Sequence, residues 1–403
     1  MLPSSGHGRC AAKAQIEETS MIDDAHSAAI RRGTITRRGL IAAAAVGTLG
    51  MPRVARAQAA PDAPLPDALV KAAQAEGALM YYHNSDIDTT ATWTAAFTKK
   101  YGVPTKNMRM PSYPLYDRWV NEERVGRHLA DLIQITDPTL LSAASKQGFV
   151  ANYVPAGGAH IDASLKEEGV WYALNLDYMG IGYNSKKVTP EEEKFLHDAG
   201  WEALADPRWK GRMGTATPAS GGSSYAYCYM FLTTLKDKYG KPWFDKVAAN
   251  KPDIYASKAP LFERLAAGEY ALMDQGSQGS LTDLYLKGAP VRWVFPAPTP
   301  VAVTTQSISA HAPHPNAARL FQEWSVSAES EALWLSLVAA GASRNDVTDP
   351  RKAAHKDWFA ESWYADPTEL YTQYLKEPGF ADPKKPIIAE WNDIMGYQGG
   401  RKG

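Results

Sequence analysis

Cysteine is scarce in this 403-residue chain, which carries only Cys10 and Cys228. Two thiols exclude a disulfide framework and any cysteine-rich zinc or iron–sulfur site. Neither charge sign prevails, with 43 Lys+Arg against 44 Asp+Glu and a formal net charge of -1. Without a basic footprint, no nucleic-acid partner is expected. Long hydrophobic runs are missing as well. The apolar run at 40–51 has 12 residues, well short of the roughly 20 that span a bilayer. Catalytic signatures are equally sparse. No Gly-x-Ser-x-Gly nucleophile elbow occurs. His311-Ala312-Pro313-His314 has the wrong spacing for two metal ligands on one helix face and includes no glutamate. What is present is an ordinary globular composition, 45% hydrophobic and 22% charged. It is enough for two or three domains and speaks against bulk disorder or coiled coil.

Arg37-Arg38 precede the short apolar run, and Ala55-Arg56-Ala57 follows it as a small-residue cleavage pattern. That order is the one expected of a bacterial export signal, and paired arginines point to its twin-arginine class. Residues 1–57 are therefore read as export signal plus N-terminal extension, starting at Met1 or Met21. The alternative is an amphipathic first helix of the fold, but an Ala-rich, Gly-interrupted stretch has little apolar volume to pack. With no cysteine beside the cleavage site, no lipid anchor is expected, and the mature protein belongs in the periplasm. Cys228 would be alone there. Its tyrosine-rich helical surroundings favour a buried, inert thiol.

Beyond a Pro/Ala linker, helix and strand patterns alternate. Residues 65–76 read as a helix stopped by Gly77, 78–82 as a buried strand, and 89–101 as a helix closed by Gly102. A helix over 115–127, a strand over 130–135 and a helix over 139–147 follow. A second series starts after Tyr183, with a capping box at Thr189-Pro190-Glu191-Glu192. It contains a strand at 213–217, a long helix at 225–239, a helix at 260–267 and a strand at 270–273. A polar loop at 274–280 then opens another helix, and a strand at 291–295 precedes the Pro-rich 296–300. His314-Pro315-Asn316 opens a helix over 317–324. Repeated strand–turn–helix units imply parallel α/β sheets, with ligands beyond the carboxyl ends of the strands.

Three such turns carry candidate ligand contacts: Asn84 and Ser85 after His83, Thr136 and Asp137, and Asp274 and Gln275. Each alone reads more simply as a helix cap, but the ends of parallel strands converge in space. The strongest local signal is Ser220-Gly221-Gly222-Ser223-Ser224 between a strand and a helix. Glycines let backbone amides approach a ligand, and a helix start favours an anion. Simple N-capping by Ser220 or Ser223 explains the same residues equally well. The turn is no P-loop, because the Gly-Lys-Ser/Thr ending is missing.

Several motifs, in order, resemble one family. They are Gly77 to Tyr82, Ala130-Asp131-Leu132-Ile133, Gly180-Ile181-Gly182-Tyr183-Asn184-Ser185, Trp201-Glu202-Ala203-Leu204 with Asp206-Pro207-Arg208-Trp209-Lys210-Gly211-Arg212, and Ala312 to Ala318. With the export signal they are similar to the ferric-ion/phosphonate/sugar-phosphate branch of ABC-transporter solute-binding proteins. The resemblance, covering roughly 76–345, implies a two-lobed type II periplasmic-binding-protein fold. Each α/β lobe would be a mixed, mostly parallel sheet flanked by helices, with crossovers near 171–183 and 291–297. Residues 60–172 plus 297–344 would form the first lobe, 173–296 the second, and 345–403 a C-terminal helical tail. The implied function is capture of a small polar, anionic organic solute for an inner-membrane ABC permease and its ATPase, by a monomer without catalytic residues, cofactor or metal.

The family's ferric members take phenolate ligands from a tyrosine pair downstream of an Ala-Gly-Glu junction. Here Ala267-Gly268-Glu269 leads to Asp274-Gln275-Gly276-Ser277, Asp86 stands for the expected histidine, and Thr136 for the expected glutamate. An altered ferric site from His83 and Asp86 or Asp137 and Asp274 is one alternative. A periplasmic enzyme using Asp86, Asp137 and Asp274 is another. Arg118 is read either as a counter-charge to the ligand or as half of a surface ion pair.

Overall fold

The computed structural model describes residues 62–347, 379–382 and 385–399. The expected export signal at 1–57 and most of the expected tail lie outside them. In chain order the first elements are α1 (Asp67–Glu76), β1 (Leu79–His83), α2 (Ile87–Tyr101), β2 (Thr105–Arg109), α3 (Ser112–Arg124), β3 (Leu132–Ile135) and α4 (Pro138–Lys146). Then come β4 (Lys166–Glu167), β5 (Trp171–Asn184), α5 (Pro190–Ala199), β6 (Met213–Ala216), α6 (Gly222–Tyr229), α7 (Gly240–Ala249) and β7 (Asp253–Tyr255). The rest are α8 (Lys258–Ala267), β8 (Leu272–Ser277), α9 (Gln278–Leu286), β9 (Val291–Val294), β10 (Val301–Ile308), α10 (Pro315–Ser325), α11 (Ala328–Leu337), β11 (Gly341–Ala342) and α12 (Pro386–Met395). No helix among the described residues is long and apolar enough to cross a membrane.

Local chemistry accounts for most boundaries. Gly77 and Gly102 take the left-handed conformation that ends α1 and α2, a conformation costly for residues with a Cβ. Asp86 accepts from the Thr89 amide at the start of α2. Thr189 and Glu192 exchange both bonds of the expected capping box. Pro315 stands in the first turn of α10, where its missing N–H costs nothing.

Two sheet halves share one long strand. In the first, β2 and β3 flank β1 in parallel, and β10 lies antiparallel between β3 and β5. In the second, β6 lies parallel between β7 and β8, while β8 and β9 pair antiparallel with β5. β5 therefore belongs to both: its start pairs with β10 and its end with β8 and β9. The chain returns through 295–300 and re-enters the first sheet as β10. This is the mixed α/β architecture that the resemblance implied. Each half has its own aromatic-rich core. Trp93, Phe97, Phe321 and Trp324 interlock in the first, with ring centroids 4.9–5.6 Å apart. Trp201, Phe231, Trp243 and Phe244 do so in the second.

Three sequence expectations change. β2 was not expected from the sequence, because Thr105–Arg109 is a polar edge strand with no apolar alternation to reveal it. Residues 274–277, read as loop, complete β8, and all of them are buried. One carboxylate oxygen of Asp274 and the amide nitrogen of Gln275 find partners inside the lobe, on Thr215 and Ala216, so polarity there does not mark a loop. The helix expected over 225–239 starts earlier and widens into a π-turn at Met230–Thr234.

Candidate functional site

The parallel strands of both halves end on one cleft of about 520 Å³. From the first lobe, β1 delivers Asn84, Ser85 and the cap Asp86, β2 delivers Arg109 and the start of α3 at Ser112, and β3 delivers Thr136. From the second, β6 delivers Ser220, Gly221 and Ser223, β7 delivers Ser257 and Lys258, and β8 delivers Ser277 with the start of α9. Five helix starts thus border one space: α2, α3, α6, α8 and α9. Each start exposes amides without intrahelical partners and carries a partial positive charge. The shared strands add Asn175 and Asp177 from β5 and Thr304 from β10, and Trp334, Leu337 and Val338 make an apolar flank.

The charged groups differ in how they are engaged. Lys258 Nζ donates to Ser223 Oγ at 2.7 Å. Burial pulls its pKa down, while the charges of Asp177 and Asp274 push it up. Asp177 accepts a hydrogen bond from Ser277 Oγ, and burial raises its carboxyl above the ordinary range despite Lys258. Lys287 pairs with Asp283 at the exposed rim, 2.7 Å apart. Arg109 has no ion-pair partner among the described residues. The lining therefore holds three cations (Arg109, Lys258 and Lys287), four carboxylates (Asp86, Asp177, Glu263 and Asp283), and a ring of hydroxyls and helix-start amides, with Lys258 and Asp177 the half-buried charges among them. That set fits an acid whose body carries hydrogen-bond donors for Asp177.

Of the residues expected at the site, Asn84, Ser85, Thr136, Ser220, Gly221 and Ser223 line the cleft. Gln134 Nε2 donates to Ser85 Oγ at 2.8 Å, and Ser112 and Thr136 share a hydroxyl hydrogen bond of 2.9 Å. The other five stand outside the lining. Asp137 is buried, caps α4 and lies 2.9 Å from Lys385 Nζ. Ser224 accepts from Ser220 Oγ at 2.8 Å. Asp274 accepts from Thr215 Oγ1 at 2.9 Å, and Gln275 Nε2 donates to the Ala216 carbonyl at 2.9 Å. Gly222 meets the opposite lobe: a Cβ there would sit 2.1 Å from the Thr136 carbonyl oxygen.

Burial raises Asp274 to about 7. His83, buried and stacked on Tyr81, is lowered to about 4 by burial and by Arg109. Neither lines the cleft, and no tyrosine or histidine does among the described residues. Asp86, Asp137 and Asp274 thus do not form a shared carboxylate set in the cleft. Arg118 resolves as the surface pair, 2.8 Å from Glu122. Cys228 is buried, with its thiol pushed well up by burial.

Sequence reasoning missed Lys258, Arg109, Asn175 and Asp177. Asn175 and Asp177 had a readable signal, being polar residues two apart in an otherwise apolar strand, which places them on one face. Lys258 and Arg109 had none, since a lone cation beside a strand end is commonplace.

Residues 127–275 match the family model described as bacterial extracellular solute-binding protein. A Haemophilus influenzae protein without an assigned function is 25% identical over 273 residues, covering 65% of this chain and 76% of that protein. The periplasmic binding protein AfuA from Actinobacillus pleuropneumoniae, with fructose-6-phosphate bound, superposes with a TM-score of 0.65 at 19% identity, covering 79% of this chain and 99% of AfuA. Iron-bound HitA from Pseudomonas aeruginosa gives 0.62 at 20% identity, covering 79% and 99%. The substrate-binding protein of an ABC transporter from Agrobacterium tumefaciens gives 0.63 at 17%, covering 79% and 94%. These likenesses show the fold, that of type II periplasmic binding proteins. The family model and the AfuA and Agrobacterium structures are described as binding proteins, which gives the periplasmic-enzyme reading no support.

Proposed function

We propose that this chain, a solute-binding component of an ABC importer by its family match and fold, captures a small anionic, hydroxyl-bearing organic solute. The observation that carries the reading is the convergence of five helix starts, Lys258 and Arg109 on one cleft. Ser220, Gly221 and Ser223 would hold the acidic group beside Lys258. Asn84, Ser85 and Thr136 would grip the ligand from the first lobe, with Asp177 accepting from its hydroxyls. Asp137, Gly222, Ser224, Asp274 and Gln275 would shape the walls from behind. The lobe boundaries, 60–172 plus 297–344 and 173–296, belong to this reading, with β5 and the 295–300 return as hinges.

The AfuA likeness supports a phosphorylated sugar as the first class to try. No tyrosine stands in the described lining, so the phenolate ligands of the family's ferric members have no counterpart there, which argues against ferric iron. A thermal-shift screen of sugar phosphates, phosphonates, sugar acids and ferric citrate tests the reading. Ligand at about 100 times its Kd stabilises the fold by about 2.7 kcal/mol. A hit among the organic acids supports it, and hits confined to ferric citrate or uncharged sugars overturn it.

Twin-arginine export, cleavage after Ala57, a periplasmic monomer without a lipid anchor, and delivery to an inner-membrane permease and ATPase complete the proposal. The order of Arg37-Arg38, the 40–51 run and Ala55-Arg56-Ala57 supports the export route. N-terminal sequencing of the periplasmic protein should start at Gln58 or Ala60, and Lys at both arginine positions should leave precursor unprocessed.

A further inference from the structure

Outside the cleft, a carboxylate is buried with an unusual pair of partners. Glu123, in the last turn of α3, has its side chain wholly shielded from solvent, and its ion-pair partners among the described residues are two imidazoles. His128 Nδ1 and His311 Nδ1 each lie 2.9 Å from its Oε2. Ser309 Oγ donates to the other oxygen at 2.7 Å, and Trp119 Nε1 donates to Ser309 Oγ at 3.3 Å. The two rings stack with centroids 4.3 Å apart.

A shielded carboxylate needs its charge answered. One dication held between three ligand atoms would answer it. We propose that Glu123 Oε2, His128 Nδ1 and His311 Nδ1 form a binding site for a divalent transition-metal ion, Zn²⁺ or Cu²⁺. Their ligand atoms lie within 4.8 Å of one another. Metal bonds of about 2.0–2.2 Å require ligand atoms roughly 3.3 Å apart, so each ring nitrogen moves about 0.4 Å away from Oε2 and the two nitrogens settle at the same spacing from each other. Both rings have room to do so: their side chains are 31% and 54% exposed, on the segment before β3 and the turn after β10. Each ring can free Nδ1 for the metal by carrying its proton on Nε2. Two imidazole nitrogens and one carboxylate oxygen suit a borderline ion better than calcium or magnesium. Ser309 orients the carboxylate as outer-shell donors do at metal sites. The ion would clip α3 to the segments before β3 and after β10, away from the solute cleft.

Titration with Cu²⁺, read by electron paramagnetic resonance, tests the site. One equivalent should bind with superhyperfine coupling to two nitrogens, and Zn²⁺ added alone should raise Tm and compete with Cu²⁺ only in large excess. His311→Ala, at a largely exposed ring, should keep the circular-dichroism spectrum and lose the two-nitrogen signal. Ser309→Ala should weaken binding about tenfold. No bound ion, or the same signal in His311→Ala, would overturn the proposal and leave Glu123 as a hydrogen-bond acceptor alone.

Discussion

Ser223 and Lys258 join two helix starts through a single 2.7 Å contact, so neither side chain acts alone on a ligand. Removing the Ser223 hydroxyl takes a donor from the ligand and a partner from the ammonium group. A hydrogen bond to a charged group contributes roughly 1.5–3 kcal/mol, so Ser223→Ala should weaken binding of the acid found by thermal screening about 10- to 100-fold. Unchanged affinity by calorimetry would make Ser223 a helix-start residue only. Asp274 supports a prediction of another kind. Its carboxyl is buried and raised to about 7 from an ordinary 3.8. Between those values the folded chain holds a proton that the unfolded chain has released. Stability from this group is thus fully present below about pH 4 and declines as pH rises toward 7. Asp274→Asn keeps the shape and does not titrate. Glu331, also raised to about 7 by burial, titrates in both proteins, so urea unfolding at pH 5 and pH 7.5 should show a loss of stability that is larger in the wild type than in the variant by a few kcal/mol. Equal differences in both proteins would mean that Asp274 ionises freely in the fold.

At the scale of elements, the strand-to-helix turns were the legible part of the site. Glycine and serine at 220–224 and the cap at Asp86 mark such turns in the sequence, and parallel pairing brings their ends together. Contacts between distant segments were not legible. Nothing local to Asp137 announces Lys385, and nothing near Glu123 announces His311, because both pairs form only once the fold is complete. The 274–277 segment misled for a physical reason: buried amides and carboxyls, once hydrogen-bonded, fit a central strand as well as a loop. The glycine-rich turn at 220–224 carries a constraint that the sequence did not announce. Gly222 lets α6 touch the backbone of Thr136 on the other lobe, where a Cβ would sit 2.1 Å from the carbonyl oxygen. Backbone cannot yield as a side chain does, so Gly222→Ala should hold the lobes apart without disturbing either core. With ligand present, small-angle scattering should then give a larger radius of gyration than for the wild type, and affinity should fall at least about tenfold, or about 1.4 kcal/mol. A variant that closes and binds normally would show that the two backbones need not meet.

For the molecule as a whole, the C-terminal segment ties the two lobes. α12 packs against α6 and α7, with Trp391 fully buried and Thr217 Oγ1 donating to Asn392 Oδ1 at 3.3 Å. Phe380 packs on Tyr225 and Tyr229 of the same lobe, with centroids 5.4 and 5.2 Å away. Lys385, between them, reaches across to Asp137 of the first lobe at 2.9 Å, and its side chain is only 8% exposed. The Phe380 carbonyl accepts from the same ammonium at 2.8 Å, and the Tyr225 ring centroid lies 4.5 Å away. A buried pair of this kind adds little against a well-packed apolar substitute, but removing one partner strands the other's charge. Lys385→Met leaves Asp137 unanswered, with only the Thr139 amide, the Thr139 hydroxyl and the Tyr113 hydroxyl as donors. The loss should be about 3–5 kcal/mol in urea unfolding. Adding Asp137→Asn should recover part of it, because the amide removes the stranded charge and keeps an acceptor for those donors. If Lys385→Met costs less than about 0.5 kcal/mol, the range of an ordinary surface substitution, the tail does not tie the lobes through this pair.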